Sequence, residues 1–185
     1  TTMTKTEQEY QEQTGQCREL FIKKMKDYGT AWRILRPTSL TDQIFIKANR
    51  IRSIQTKGNQ MVGDDIRCEL IGIVNYAAMA LIQCERGFAN SVDMNDDEAL
   101  GAYDAQIARA KGLMSAKNHD YDEAWRMMRT SSITDIILMK LFRTKEIEDH
   151  KGTTLVSEGV EANYLDMINY AVFALIQIAE QQNKE

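Results

Sequence analysis

The chain has 185 residues, 43% of them hydrophobic, and its formal net charge is −4 at pH 7. This is the composition of a folded globular protein. The acidic balance argues against general binding to nucleic-acid backbones, which normally requires a basic surface. A small anionic ligand is compatible with it, because a few local lysines and arginines can hold phosphates in an acidic protein.

A helical periodicity dominates the chain, which contains one proline, Pro37, and no long strand-like alternation. The pattern predicts six helices, three in each half of the chain. The third helix of each half is strongly apolar, as expected for the buried centre of a bundle. Residues 87–95 are the predicted linker between the halves. The predicted helices cover about 7–28, 40–55, 64–86, 97–117, 133–149 and 156–182.

The same pattern occurs twice in this chain. The segment K-D-Y-G-T-A-W-R from Lys26 matches H-D-Y-D-E-A-W-R from His119. A second pair of matching segments begins at Leu70 and Tyr164, and both copies end in A-L-I-Q. We therefore predict an all-α helical bundle of two tandem three-helix repeats, residues 1–89 and 90–185, packed as one unit with pseudo-two-fold symmetry.

Three cysteines, Cys17, Cys68 and Cys84, form no C-x-x-C pair, and their number is odd. This usage is typical of reduced thiols, so we expect a cytoplasmic protein. No stretch approaches the roughly 18 apolar residues of a membrane span, and the polar N-terminal segment does not have a signal-peptide pattern. We expect no membrane association.

Local patterns at the helix ends have a structural interpretation. Ser39 and Ser132 each begin an S-x-x-D segment before an apolar run, which predicts a serine N-cap at the start of the second helix of each repeat. Gly29 follows the first helix, where it suits a left-handed C-terminal cap, and Asp122 takes its place in the second copy.

Repeated cations lie three residues apart on the second helix of each repeat, and so on one helical face. They either point to solvent or pair with an acid on a neighbouring helix, or they form a clamp for a polyphosphate. The pattern leaves both interpretations open. The residues are Lys47, Arg50, Lys140 and Arg143.

The D-Y-x-x-A-W block is the most specific repeated motif. Its aromatic rings either fill the core or offer a flat surface on which a nucleobase stacks. The candidate ligand-binding residues of the two blocks are Asp27, Tyr28, Trp32, Asp120, Tyr121 and Trp125.

Two asparagines, Asn75 and Asn169, interrupt the apolar third helices. A buried amide needs hydrogen-bond partners, so each either forms an interhelical bond or belongs to a site. Asp166 lies three residues before Asn169, whereas the first copy has Gly72 at the matching position.

The pattern K-D-Y-G-x-A-W, S-L-T-D, K-x-x-R and I-V-N-Y-A resembles a bacterial family named nucleotide modification associated domain 1. The resemblance covers nearly the whole chain and implies an association with nucleotide-modification systems. More distantly, the pattern is similar to the all-α nucleoside triphosphate pyrophosphatases (MazG-like). That similarity implies helix carboxylates that hold Mg²⁺ or Mn²⁺ and basic residues that hold a triphosphate.

Carried over to this chain, the similarity implies Asp166 as a metal carboxylate, with Glu69 substituting in the first copy. It also implies the lysines and arginines of the second helices as phosphate ligands. Two hypotheses follow. The chain binds a nucleotide or another phosphorylated small molecule and acts as a metal-dependent pyrophosphohydrolase, or it is a non-catalytic helical module that binds a protein partner. A homo-oligomer is compatible with either.

Overall fold

The computed structural model describes residues 2–58, 62–121, 123–150 and 159–184, and only the backbone of residues 62–64, 120 and 121 among them. Within this part of the chain all regular structure is helical, which confirms the all-α class. Two short 3₁₀ turns, Ala31–Ile34 and Ala124–Met127, follow the first helix of each repeat. The helices are α1 Lys5–Tyr28, α2 Pro37–Lys57, α3 Val62–Arg86, α4 Asp96–Tyr121, α5 Thr130–Asp149 and α6 Val160–Asn183.

The two apolar third helices, α3 and α6, pack against each other in the centre of the bundle. Both are buried on most faces, because their side chains are apolar all round. Each is flanked by the second helix of its own repeat, and α1 and α4 also contact the third helix of the opposite repeat. Each half therefore covers the other's apolar helix, as the duplication predicts.

Two matched hydrogen bonds join the repeats in the core. The Tyr10 hydroxyl of α1 donates to Asn169 Oδ1 of α6 at 2.7 Å, and the Tyr103 hydroxyl of α4 donates to Asn75 Oδ1 of α3 at 2.7 Å. Both tyrosines are fully buried. Since the same bond is made once in each direction, it marks the pseudo-two-fold relation between the repeats.

The predicted serine N-caps are wrong. Helix α2 begins at Pro37, with Arg36 as its N-cap, and Ser39 lies inside its first turn. Proline suits this position because its φ angle is helical and its missing N–H has no partner in the first turn anyway. Helix α5 likewise begins at Thr130, with Arg129 as its N-cap.

The acids of the S-x-x-D segments form ion pairs between the repeats instead. Asp42 of α2 lies 3.4 Å from Lys145 of α5, and Asp135 of α5 lies 3.9 Å from Arg52 of α2. Both acids are well exposed. Exposed pairs of this kind add little stability.

The linker lies at residues 87–95, as predicted, and is fixed by residues of the first 3₁₀ turn. Arg33 pairs with Asp93 at 3.0 Å, and the Thr30 hydroxyl donates to the Met94 carbonyl at 2.5 Å. Gly87 has φ 74°, a conformation that side chains disfavour.

The predicted start of the last helix, Val156, lies outside the described residues, and α6 begins at Val160. No helix in the described ranges is both long and apolar enough to span a bilayer.

Candidate functional site

The D-Y-G-T-A-W motif forms the end of α1 and the 3₁₀ turn that follows. Gly29 adopts φ 63°, and its N–H donates to the Met25 carbonyl at 2.7 Å, which ends the helix. A positive φ angle favours glycine, as the sequence predicts. The chain then reverses, so that Trp32 lies against the bundle. In the second copy Asp122 lies outside the described residues, and Glu123 has φ 58°.

A glutamine on the third helix anchors each 3₁₀ turn. Gln83 Nε2 donates to the carbonyls of Arg33, at 2.9 Å, and Leu35, at 2.7 Å. Gln177 Nε2 donates to the carbonyls of Trp125, at 3.0 Å, and Met128, at 2.9 Å, which match the bonds of Gln83 to the carbonyls of Trp32, at 3.3 Å, and Leu35. The only sequence signal for these two glutamines is that both copies end in A-L-I-Q.

The arginine after each tryptophan is structural. Arg33 is 3% exposed and bonds to Asp93, to Gln83 and to the Gly87 carbonyl. Arg126 pairs with acids on three segments and lies 4.5 Å above the Trp125 ring. Its carboxylate partners are Glu9, Glu123 and Glu180.

Two pockets of nearly equal size lie at matching positions in the two repeats, each between the first helix, the 3₁₀ turn and the third helix. The first has a volume of about 350 Å³ and the second about 380 Å³. In each, a lysine, a tryptophan and a tyrosine occupy equivalent positions. The matched lining residues are Phe21 and Met114, Lys24 and Lys117, Ala31 and Ala124, Trp32 and Trp125, Leu35 and Met128, Tyr76 and Tyr170, and Met79 and Phe173.

The aromatic wall is more closely packed in the second pocket. Trp125 stacks on Phe173 with 4.3 Å between ring centroids and 3° between planes, and Tyr170 meets Phe173 edge-on at 6.1 Å. Trp125 is 5% exposed, and its indole N–H has no hydrogen-bond partner among the described residues. In the first pocket Met79 replaces the phenylalanine, and Trp32 is only half-buried.

The cations of α2 are paired with a carboxylate of α3. Arg50 Nη1 lies 2.6 Å from Glu69 Oε1, and Lys47 Nζ lies 3.5 Å from Glu69 Oε2. Lys47 Nζ also lies 5.7 Å from the centroid of the Tyr76 ring, which lines the first pocket. The structure thus brings together Lys47, Arg50 and Glu69.

In the second repeat the carboxylate lies one turn further along the third helix. Asp166 is bound by Lys117 Nζ at 2.9 Å and by Lys140 Nζ at 3.1 Å. Arg143 pairs with Glu146, one turn away on its own helix, at 3.3 Å. Asp166 and Lys117 line the second pocket. In the second repeat Lys140 therefore contacts Asp166, whereas Arg143 contacts a different acid, Glu146.

The side chains around Glu69 and Asp166, the two predicted metal ligands, do not suit the binding of a divalent cation. Glu69 and Asp166 are each neutralised by two cationic side chains, whereas Mg²⁺ requires several free oxygen ligands. In the part of the chain that the structure describes, no group of three or more histidine, cysteine, aspartate or glutamate side chains is arranged to hold a metal ion.

Both repeated asparagines have their amide groups occupied within the fold. Asn75 Nδ2 donates to the Cys17 carbonyl at 3.1 Å, and Asn169 Nδ2 donates to the Ala110 carbonyl at 3.1 Å. Their side-chain carbonyls accept the tyrosine bonds described above. Asn169 also lines the second pocket, whereas Asn75 does not line the first.

The remaining predicted site residues lie at the end of the first helix of each repeat. Tyr28 is 76% exposed and lines the first pocket, and Asp27 is exposed without lining it. The side chains of Asp120 and Tyr121 lie outside the described residues.

Comparison with known proteins agrees with the duplication. A family model described as nucleotide modification associated domain 1 matches residues 24–84 and residues 117–178. Each matched segment contains the lysine, tryptophan and tyrosine of one pocket. No curated protein and no solved structure matches the chain. The matched segments together cover more than half of the chain, which therefore belongs to the nucleotide modification associated domain 1 family and contains the domain twice.

Proposed function

We propose that the chain binds nucleotides or nucleosides in its two matched pockets, with the base against the aromatic wall. The observation that carries this proposal is that one pocket is built twice, with a tryptophan, a tyrosine and a lysine at equivalent positions. The pocket volumes lie in the range of small-ligand sites, about 300–1,000 Å³. The family description supports the same class of ligand.

The aromatic residues account for recognition of a base. Stacking of a base on an aromatic side chain contributes about 1–3 kcal/mol, whatever the base. Trp32 presents a half-buried ring to the first pocket, whereas in the second the Trp125 ring is covered by Phe173 and Arg126. Near the two pockets, Ile34 and Met127 occupy equivalent positions and are 50% and 90% exposed.

The lysines account for recognition of a phosphorylated ligand. Lys24 and Lys117 come from the last turns of α1 and α4 and line the two pockets, and of the two only Lys117 is paired with a described carboxylate, Asp166. A lysine ammonium binds phosphate as a point charge. Lys47 and Lys140 lie close by on the neighbouring helices.

The proposal is limited to binding. Hydrolysis of a nucleoside triphosphate by a metal-activated water requires carboxylates that are free to bind the metal. Glu69 and Asp166 are engaged by lysine and arginine side chains, so no hydrolytic step is derived for them.

A specific observation favours the second hypothesis, a non-catalytic module. The repeated asparagines, glutamines and arginines all bond within the fold, so these repeated polar residues are accounted for by structure. That accounts for the scaffold of each pocket. It does not account for Lys24, which lines the first pocket without a described partner.

Calorimetric titration separates the two hypotheses. The intact chain is titrated with the common ribonucleoside and deoxyribonucleoside phosphates and with the free nucleosides, with and without Mg²⁺. We expect saturable binding of at least one of these ligands, and Lys24→Met should weaken binding of a phosphorylated ligand. The matched control is Lys23→Met, because Lys23 is exposed on the same helix and does not line the pocket. The proposal is overturned if no nucleotide or nucleoside binds.

A further inference from the structure

Resting on the proposed function, we infer that the two pockets take different ligands. The first pocket binds the phosphorylated form, a nucleoside 5′-phosphate. The second pocket excludes the phosphate and binds the uncharged nucleoside. The inference depends on one position of the third helix, which is Gly72 in the first repeat and Asp166 in the second.

In the second repeat the pocket lysine is already neutralised. Lys117 Nζ lies 2.9 Å from Asp166 Oδ1, and Lys140 binds the other carboxylate oxygen at 3.1 Å. The Asp166 side chain is 14% exposed and lines the pocket. A phosphate placed here would have to compete with the Asp166 carboxylate for both lysines in a partly desolvated site.

In the first repeat the equivalent lysine has no such partner. Lys24 lines the pocket and makes no hydrogen bond or ion pair with any described side chain, because Gly72 stands where the carboxylate would be. An unpaired ammonium beside an apolar pocket is available to a phosphate group. The nearest carboxylate on the third helix, Glu69, is engaged by Lys47 and Arg50.

The side chain of Lys47 fills the space beside Gly72. A Cβ atom at Gly72 would lie 2.5 Å from both Cδ and Cε of Lys47, so the lysine side chain occupies the place that a side chain would take. Lys47 thereby reaches Glu69 and lies 5.7 Å from the Tyr76 ring. In the first repeat Lys47 and Arg50 thus share one carboxylate, Glu69, and Lys24 lines the pocket without a described partner.

The second pocket has the groups that an uncharged nucleoside needs. Asp166 is a hydrogen-bond acceptor for an amino or hydroxyl group, and the buried Trp125 N–H is a donor without a partner in the described chain. Asn118 adds a further amide at the wall.

The test is the stoichiometry of binding measured by calorimetry with the common deoxynucleoside 5′-monophosphates and the matching deoxynucleosides. We expect one monophosphate per wild-type chain. Lys24→Met should weaken it at least about tenfold, since a bond to a charged group is lost. Asp166→Asn, which keeps the side-chain shape and frees Lys117 and Lys140, should create a second monophosphate site.

Other outcomes overturn the inference. Two equal monophosphate sites in the wild type would show that Asp166 does not discriminate. Monophosphate binding that is lost in Lys117→Met and kept in Lys24→Met would show that the phosphate binds in the second pocket. These results leave the proposed function intact, whereas the absence of binding by any monophosphate or nucleoside removes both. Circular dichroism of each variant verifies that it is folded.

Discussion

The hydroxyl of Tyr10 lies 2.7 Å from the side-chain oxygen of Asn169, although the two residues are 159 positions apart in the chain. The bond crosses from the first helix of one repeat to the third helix of the other. Its counterpart joins Tyr103 to Asn75 in the opposite direction. These buried bonds join the two halves, each of which carries a pocket. One of the bonded residues, Asn169, also lines the second pocket.

Removal of either tyrosine hydroxyl should destabilise the whole fold. Tyr10→Phe and Tyr103→Phe each leave a buried asparagine oxygen without its donor, which costs about 1–3 kcal/mol. Urea denaturation measures the free energy of unfolding. Tyr28→Phe is the control, because Tyr28 is 76% exposed and makes no side-chain hydrogen bond within the described structure. Equal stability of all three variants would contradict the structural role of the Tyr–Asn bonds.

The glutamine anchors should link stability to the shape of the pockets. Gln177→Ala leaves the Met128 carbonyl without a donor and removes one of the two donors to the Trp125 carbonyl, so we expect a loss of about 1–3 kcal/mol. The 3₁₀ turn that holds Trp125 should also loosen, which would increase the exposure of its ring. Urea denaturation and the wavelength of tryptophan emission measure the two effects.

The control for the glutamine anchor is Gln182→Ala, since Gln182 is exposed near the end of the same helix. An unchanged emission spectrum in Gln177→Ala, together with unchanged stability, would show that the glutamine does not fix the turn.

Glu148 should make stability depend on pH. Burial, and secondarily the nearby Asp42 and Asp149 carboxylates, raise its pKa above the ordinary value of 4.5, although Thr41 and Tyr164 donate hydrogen bonds to it. The folded state therefore favours the neutral acid. The stability that this preference provides is complete below pH 4.5 and is lost as the pH rises through the folded-state pKa.

The Glu148→Gln variant should abolish this pH dependence while its amide oxygen still accepts both hydrogen bonds. We expect it to be more stable than the wild type at about pH 8, with a difference that narrows toward about pH 4. Thermal unfolding at both pH values measures the difference, and Glu19→Gln on the exposed face of α1 is the control. A variant less stable than the wild type at the higher pH would contradict the prediction.

The three thiols should differ in reactivity, because they differ in burial. Cys68 is exposed, Cys84 is half-buried with its pKa raised to about 11, and Cys17 is fully buried with its pKa raised to about 12. Burial is the main cause of both shifts, and the thiolate is the reactive form. A thiol reagent at neutral pH should therefore label Cys68 first, Cys84 slowly and Cys17 only after unfolding.

Mass spectrometry of the labelled protein identifies the order. The Cys68→Ser variant should lack the fast phase and keep the slow one. Labelling of all three thiols at one rate in the folded protein would show that the described burial of α1 and α3 is wrong.

Much of the fold could be predicted, because the signals are local. The helical period, the apolar third helices and the linker after Arg86 follow from residue spacing, and all appear in the structure. The start of α2 was predicted at the wrong residue because a serine motif was preferred to Pro37, although proline in the first turn is itself a helix-start signal. The repeat itself predicts the pseudo-symmetry that the tyrosine–asparagine bonds display.

The pockets could be predicted only in part, because their walls depend on which helices meet. Trp32, Trp125 and Tyr28 were recognised from a local motif, and they line the pockets. Tyr76 and Phe173 belong to apolar runs and cannot be distinguished from core residues by periodicity. The partners of the repeated cations cannot be predicted from the repeat either. Lys47 pairs with Glu69, whereas Lys140 pairs with Asp166, which lies one turn further along the third helix.

Tryptophan fluorescence tests the central claim most directly, since the only two tryptophans of the chain, Trp32 and Trp125, each line one pocket. Trp125→Phe leaves the first pocket as the sole source of emission, and Trp32→Phe leaves the second. We expect at least one variant to show a saturable change in emission when it is titrated with nucleoside 5′-phosphates or nucleosides. Emission that stays unchanged in both variants, with every nucleotide and nucleoside at millimolar concentration, would contradict it.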